Sequence, residues 1–462
     1  MYRAEGARVL QLDMEEVLTR RRLFSTALAL APSSGHPGLN VFFDAASPDD
    51  RAAGSALKEL ERLWRPGYAC MLVDLARLLS PLRRADMPAA EGIIQRLVSF
   101  LEARTRQTLG RDLAAWQRWM WKLPYAPHPD FGEFKGYVYG NIDPRMRSFF
   151  PPGVKSRIRL DRIDWGGVGV NGIPPLVRPK TIAARDASYL KESHVVFAIA
   201  VGGEARAYPK RILAWHEMTI DRVGGQELTI VYCTLCGTVI PYLSHGHTFG
   251  TSGLLYESSK LMFDEATNSL WPTLEGEPGV GPLTERPVQL TYAPVVTTTW
   301  GEWRREHPET TVLSLDTGHR RDYSDGAAYR DYFATDQLMF PVSAQDKRLK
   351  NKDEVLVLRL PGKTPLAIAV RRLVREPVFE YEHEGERLVV VTTKAGANRV
   401  YRAGGLRWRR YAGGVLRDEQ NREWQVAEDG LRRESERLER LPAHRAFWFG
   451  WFTQNPQGVL VR

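Results

Sequence analysis

"VVFAIAVGGEARAYPKRIL", Val195–Leu213, returns without a gap as "VLVLRLPGKTPLAIAVRRL", Val355–Leu373, at a constant offset of 160 residues. Each copy reads as a strand, a glycine-containing turn, a second strand and about two turns of basic helix. The register continues through "LTIVYCTLCGT", Leu228–Thr238, which lies over "LVVVTTKAGAN", Leu388–Asn398. Two further blocks follow in the same order. "FDEATNSLW", Phe263–Trp271, corresponds to "RDEQNREW", Arg417–Trp424, and "WGEWRREHPETTVL", Trp300–Leu313, corresponds to "WFGWFTQNPQGVLV", Trp448–Val461. Repeated order of this kind indicates a tandem duplication. The chain is therefore expected to be α+β, with two related, hairpin-rich lobes at 191–350 and 351–462 rather than a parallel sheet.

Upstream the period changes. From Ala52 to Lys122 apolar residues recur at three- and four-residue spacing in "ALKELERLW", "ACMLVDLARLLSPL" and "AEGIIQRLVSFLEART", so 52–123 is expected to be a helical module. Its last stretch, "TRQTLGRDLAAWQRWMWK", resembles the end of a HEAT-type helical repeat. The proline-rich "PYAPHP" opens a linker, 124–190, that leads into the lobes. The N-terminal segment, 1–51, contains "LTRRRLFSTALALAPSSG", Leu18–Gly35, which loosely resembles a twin-arginine export signal. Its apolar run is short and a proline follows Ala31, so an amphipathic helix and a cytoplasmic location are the favoured reading, with export the alternative.

Lys plus Arg number 64 against 55 Asp plus Glu, but the two signs are interleaved and no block of like charges appears. Nucleic acid is therefore not the expected partner; a small molecule or a protein is. No run of 18 apolar residues occurs, so no transmembrane helix is expected. Three cysteines are too few for a disulfide framework, and Cys70 sits in an apolar stretch as a small hydrophobe.

The chemistry concentrates in "VYCTLCGT", Val231–Thr238. Cys-x-x-Cys-Gly after a strand is how half a zinc knuckle is written, whereas a thioredoxin-type pair needs a helix after its first cysteine, and here "GTVIPYL" follows. His216 is placed to return to the knuckle, so Cys233, Cys236 and His216 are the candidate ligands of zinc, copper or iron, with metal-free thiol chemistry and structural cysteines as the other readings. The duplication sharpens this. Thr393, Gly396, Glu376 and Pro377 stand where lobe 1 has Cys233, Cys236, His216 and Glu217. Neighbours on a helix do not face the same way, so Glu217 is cast as an acid/base group beside the ligand rather than a ligand itself. Gly250, Ser252 and Gly253 in "FGTSGLLY" are candidates for close backbone approach to a bound molecule. Asp264 has a counterpart in Asp418, which points to an Asx-turn.

"AYPKRILAWHEMTID", "TIVYCTLCGTVIPY", "TFGTSGLLYESSKLMFDEATNSLW" and "GPL" in succession resemble the bacterial and archaeal family named domain of unknown function 3179. The positions carrying that resemblance are His216, Glu217, Cys233, Cys236, Gly237, Phe249, Gly250, Ser252, Gly253, Asp264, Thr267 and Trp271. Glu257 and Pro272 depart from the family's usual asparagine and serine or aspartate. The resemblance implies a fold neighbour and no mechanism. A metal- or thiol-dependent protein, possible as an enzyme, stands beside a non-catalytic scaffold whose cysteines are structural.

Overall fold

The computed structural model describes residues 35–83 and 88–462; the export-like run up to Ser34 lies outside them. Helices come first: α1 (Leu39–Ala45), α2 (Asp50–Arg62), α3 (Ala69–Arg83), α4 (Pro88–Thr105), α5 (Leu113–Met120) and α6 (Phe131–Gly140). Asp49 caps α2, its carboxylate accepting the N–H groups of Arg51 and Ala52 at 2.8 and 3.1 Å. Their apolar faces do not close on themselves. One core runs from Leu72 and Leu97 through Phe134 to Leu254, Leu261 and Leu270 of the β region. Lys135, fully buried on α6, pairs with Asp74 of α3 at 2.8 Å, and Arg77 forks onto Asp164 at 3.0 and 2.6 Å. The helices are thus built against the strands; of the HEAT-type module expected from the sequence, the structure shows the helices.

Lobe 1 starts with short strands β1 (Ile163–Trp165), β2 (Leu176–Val177) and β3 (Thr181–Ala183). The repeat follows as β4 (Val195–Val201), β5 (Glu204–Pro209), α7 (Lys210–His216), β6 (Met218–Val223), β7 (Gln226–Cys233) and β8 (Thr238–Leu243). Next come β9 (Phe249–Tyr256), β10 (Ser259–Asp264), β11 (Leu270–Pro272), β12 (Thr291–Tyr292), β13 (Val296–Thr299), α8 (Trp300–Glu306) and β14 (Thr311–Leu313). A crossing segment with one short helix, α9 (Arg330–Phe333), leads to lobe 2.

Lobe 2 repeats the order as β15 (Glu354–Leu358), β16 (Leu366–Ala369), α10 (Val370–Arg375), β17 (Val378–His383), β18 (Glu386–Thr392) and β19 (Asn398–Arg402). It continues with β20 (Trp408–Ala412), β21 (Val415–Asp418), β22 (Glu423–Ala427), β23 (Gly430–Arg433), β24 (Glu436–Leu441), β25 (His444–Phe447), α11 (Trp448–Gln454) and β26 (Val459–Val461).

Strand pairing matches as well as order. β4 pairs antiparallel with β13 and β5, and β5 pairs parallel with β14; β15 pairs antiparallel with β25 and β16, and β16 pairs parallel with β26. The second sheets correspond too, β6-β7-β8-β12 with β17-β18-β19-β24. The duplication expected from the sequence is present. The lobes diverge after the common hairpins. In lobe 2, β20 to β23 extend the second sheet to eight strands, whereas in lobe 1 β9 and β10 leave it to form a separate sheet, β1-β9-β10-β11. The departing strands β9 and β10 supply much of the wall of the candidate site.

Candidate functional site

Cys233 ends β7 and pairs with Thr238 across the hairpin. The chain turns back through Gly237 at a left-handed φ of 58°, where any side chain would strike the Phe447 ring. Cys233 and Cys236 form a disulfide. This corrects the expected metal centre: sulfurs bonded to each other are not thiolate ligands. His216 does not join them. Its Nδ1 donates to the Pro174 carbonyl at 2.9 Å and its Nε2 accepts from the Tyr323 hydroxyl at 2.5 Å, so both ring nitrogens are committed. Burial, helped by the nearby charges of His319 and Arg321, lowers its pKa to about 4 and keeps the imidazole neutral.

The other histidines near the turn are engaged elsewhere, His245 with Thr291 and His247 with Asp264. Among the described residues, Glu306, His307 and Glu428 are the group whose ligating atoms lie within 4.8 Å of one another. The Glu428 carboxylate there is already held by Arg399 and Arg440, each at 2.6 Å, which neutralises the charge a cation would need.

Glu217 emerges as the centre of the site. It follows the last turn of α7 in the left-handed conformation, φ 56°, a costly choice for a residue with a Cβ. Its N–H caps the helix on Leu213 O at 2.7 Å while its carbonyl accepts the Tyr232 N–H at 2.9 Å. That turn sends the side chain away from His216. Oε1 accepts the hydroxyls of Thr234 at 2.6 Å and Tyr329 at 3.0 Å, and Oε2 meets Lys260 Nζ at 2.5 Å. Lys260 sits where the β9–β10 register shifts, an irregularity of the kind that re-aims a side chain. Burial lowers its pKa against the opposing pull of Glu217. Its backbone N–H points at Cys233 Sγ, 3.5 Å away.

Glu217, Lys260, Cys233, Thr251, Gly253 and Tyr329 line one cleft, otherwise apolar. Met339 and Phe340 of the crossing segment close its side, with Met339 47% exposed. Glu257 pins that segment by accepting the Ser343 N–H and hydroxyl at 2.8 and 2.5 Å, and it pairs with Arg162 at 2.9 Å. Of the three small residues expected to approach a ligand, Gly253 alone lines the cleft. A Cβ at Gly250 would meet the Phe263 ring at 2.4 Å, so that glycine serves packing. Ser252 donates to Leu261 O at 2.6 Å and accepts the Leu254 N–H at 3.0 Å, both within its own sheet. Asp264 forms the expected Asx-turn on Ala266 and Thr267, at 2.7 and 3.2 Å.

Lys260, Thr234 and Tyr329 were not singled out from the sequence. Lys260 left a signal, a cation in the otherwise apolar run "SKLMF"; Tyr329 left none, because the crossing segment has no period.

No helix among the described residues is long and apolar enough to cross a membrane. No curated protein and no solved structure matches the chain. Residues 170–458 match the family described as "Protein of unknown function (DUF3179)". That match spans well over half of the chain and takes in the CxxC turn, Glu217, Lys260 and nearly all of both lobes, and the protein belongs to this family.

Proposed function

We propose that lobe 1 binds and acts on a small molecule in the cleft beside the Glu217–Lys260 pair, with Glu217 moving protons and the Cys233–Cys236 disulfide fixing the wall. One observation carries this reading: a buried ion pair lines a cleft whose other walls are uncharged. Two buried charges cost several kcal/mol each in desolvation, and apolar residues of similar size are often as stable or more so. The Lys135–Asp74 pair is as deeply buried but lies in the helical core; the Glu217–Lys260 pair differs in lining a cleft, where buried titratable groups are candidates for proton transfer. Lobe 2 supports the reading by contrast, since Pro377 and Thr393 replace Glu217 and Cys233 on the same framework.

The test is ligand-observed NMR with a set of small neutral, acidic and basic fragments. Binding by the wild type that is lost in Glu217→Gln and in Met339→Trp, at the exposed rim, is the expected result. No binding by any fragment would mean that the cleft is a packing gap.

A second reading has its own observation. Cys233 and Cys236 are 1% and 0% exposed, and Cys236 abuts Gly450 of lobe 2, which favours a staple in a non-catalytic scaffold. A HEAT-type role for the helices in recruiting a protein partner would belong to that reading. Either way a disulfide suits an oxidising compartment, which favours export over the cytoplasm.

A further inference from the structure

We infer that Lys260 is a covalent carbonyl-binding residue, its amine forming an imine with a small neutral aldehyde or ketone held in the lobe 1 cleft. The inference rests on the cleft being a ligand site, and it names the ligand's class.

Three features of geometry lead to it. Lys260 lines the cleft yet is buried, with Nζ 2.5 Å from Glu217 Oε2 and 3.3 Å from Glu217 O. The other carboxylate oxygen is fixed by Thr234 and Tyr329, so Oε2 alone faces the lysine as its proton partner. No charged side chain other than these two lines the cleft. A ligand carboxylate would therefore find no free cation, because the one present is already neutralised, and an apolar body with a single carbonyl fits the remaining surface. A lysine desolvated in apolar surroundings is the setting in which amine nucleophiles are activated, and burial lowers the Lys260 pKa in that direction.

The step balances with the two side chains alone. The Lys260 ammonium gives a proton to Glu217, and the free amine attacks the carbonyl carbon while the C=O pair moves to oxygen. Glu217 returns the proton to that oxygen to give the carbinolamine. It then takes a proton from nitrogen and passes it to the hydroxyl, which leaves as water. The sum is ammonium plus carbonyl giving protonated imine plus water.

The test is borohydride trapping on the full-length wild-type protein with acetone as probe and pyruvate as its acidic counterpart, followed by peptide mapping. Expected is a reduced adduct on the Lys260 peptide at acetone concentrations that leave surface lysines largely unmodified, with at least a tenfold weaker signal for pyruvate. Lys260→Arg should abolish that adduct and Glu217→Gln should reduce it. The wild-type map alone decides the matter if either variant fails to fold. Adducts confined to surface lysines, while neutral fragments still bind the cleft by NMR, would overturn the imine and leave the cleft reading standing. Preferential labelling by pyruvate would overturn the neutral class. Absence of both adduct and fragment binding would remove the site itself.

Discussion

Cys236 of lobe 1 rests on Gly450 of lobe 2: a Cβ added at 450 would stand 2.6 Å from the Cys236 Cβ. The contact has a mirror. Glu302, which occupies the place of Gly450 in the Trp-x-x-Trp helix of lobe 1, sits under the equivalent turn of lobe 2 and accepts from Thr393 Oγ1 at 2.7 Å and Ala395 N at 3.3 Å. Each lobe seats its turn on the other's helix. The seat with a glycine accommodates the disulfide, and the seat with a glutamate is filled by a carboxylate.

Gly450→Ala sets two effects against each other. Removing a helical glycine favours folding by about 0.5–1 kcal/mol, while forcing a methyl against the Cys236 backbone and Cβ costs about 1–3 kcal/mol. The clash wins because the atoms it meets are not the tip of a flexible chain. Net destabilisation of about 1 kcal/mol in urea denaturation is expected, and a variant as stable as wild type would show that the lobe junction yields easily.

How much of this was legible beforehand follows from what kind of contact each feature rests on. The two lobes were readable because strand alternation and turn glycines are local, and because two copies at one offset check each other. The resting place of His216 was not, since it depends on Pro174 and Tyr323, distant in sequence and supplied by segments without period. Glu217 was read as diverging from His216 because neighbours on a helix face different ways; in the structure the divergence comes from its left-handed turn just after α7, which the sequence did not signal. Cys-x-x-Cys was read as a knuckle from its turn, but spacing alone does not separate a metal-bound pair from a bonded one. The helical period located the helices, but it carried no sign that their apolar faces are completed by Leu254 and Leu261, far along the chain.

The Glu217–Lys260 pair should behave as a coupled unit. Lys260→Met leaves a buried carboxylate with hydroxyl partners only, a loss of about 3–5 kcal/mol. Glu217→Gln strands the ammonium at a comparable cost. The double variant should lose well under the sum, with a coupling energy of at least about 1 kcal/mol in a denaturation cycle. Additive losses would mean that the two groups do not depend on each other.

Acid should weaken the fold through His216. Its folded pKa of about 4 lies below its ordinary value of 6.5, so the stability tied to keeping it neutral is complete above about pH 6.5 and is lost as pH falls towards 4. Asp74 runs the other way, because burial raises its pKa from 3.8 to about 6 and its contribution fades as pH rises through that interval. Comparing wild type with His216→Gln cancels Asp74. Between pH 7 and pH 5 the wild type should lose more stability than the variant in matched urea titrations; parallel losses would show that the imidazole is not the titrating group.

The disulfide decides between wall and reactant. A loop closed by cysteines three apart constrains the unfolded chain little, about 2 kcal/mol on the chain-entropy account. With Cys233 1% and Cys236 0% exposed, a reductant reaches them only if the packing of Phe447 and Gly450 on the turn opens or through the cleft beside Lys260. If the bond only fixes the wall, dithiothreitol and an alkylating reagent should label neither cysteine in the native protein and both in denaturant. The Cys233→Ala/Cys236→Ala variant should then lose about 2 kcal/mol yet keep its fragment binding. If mild reductant opens the native bond and alkylation lands on Cys233 before Cys236, the sulfur facing the cleft is chemically available. Loss of fragment binding on reduction would then make the disulfide part of the site's chemistry rather than its frame.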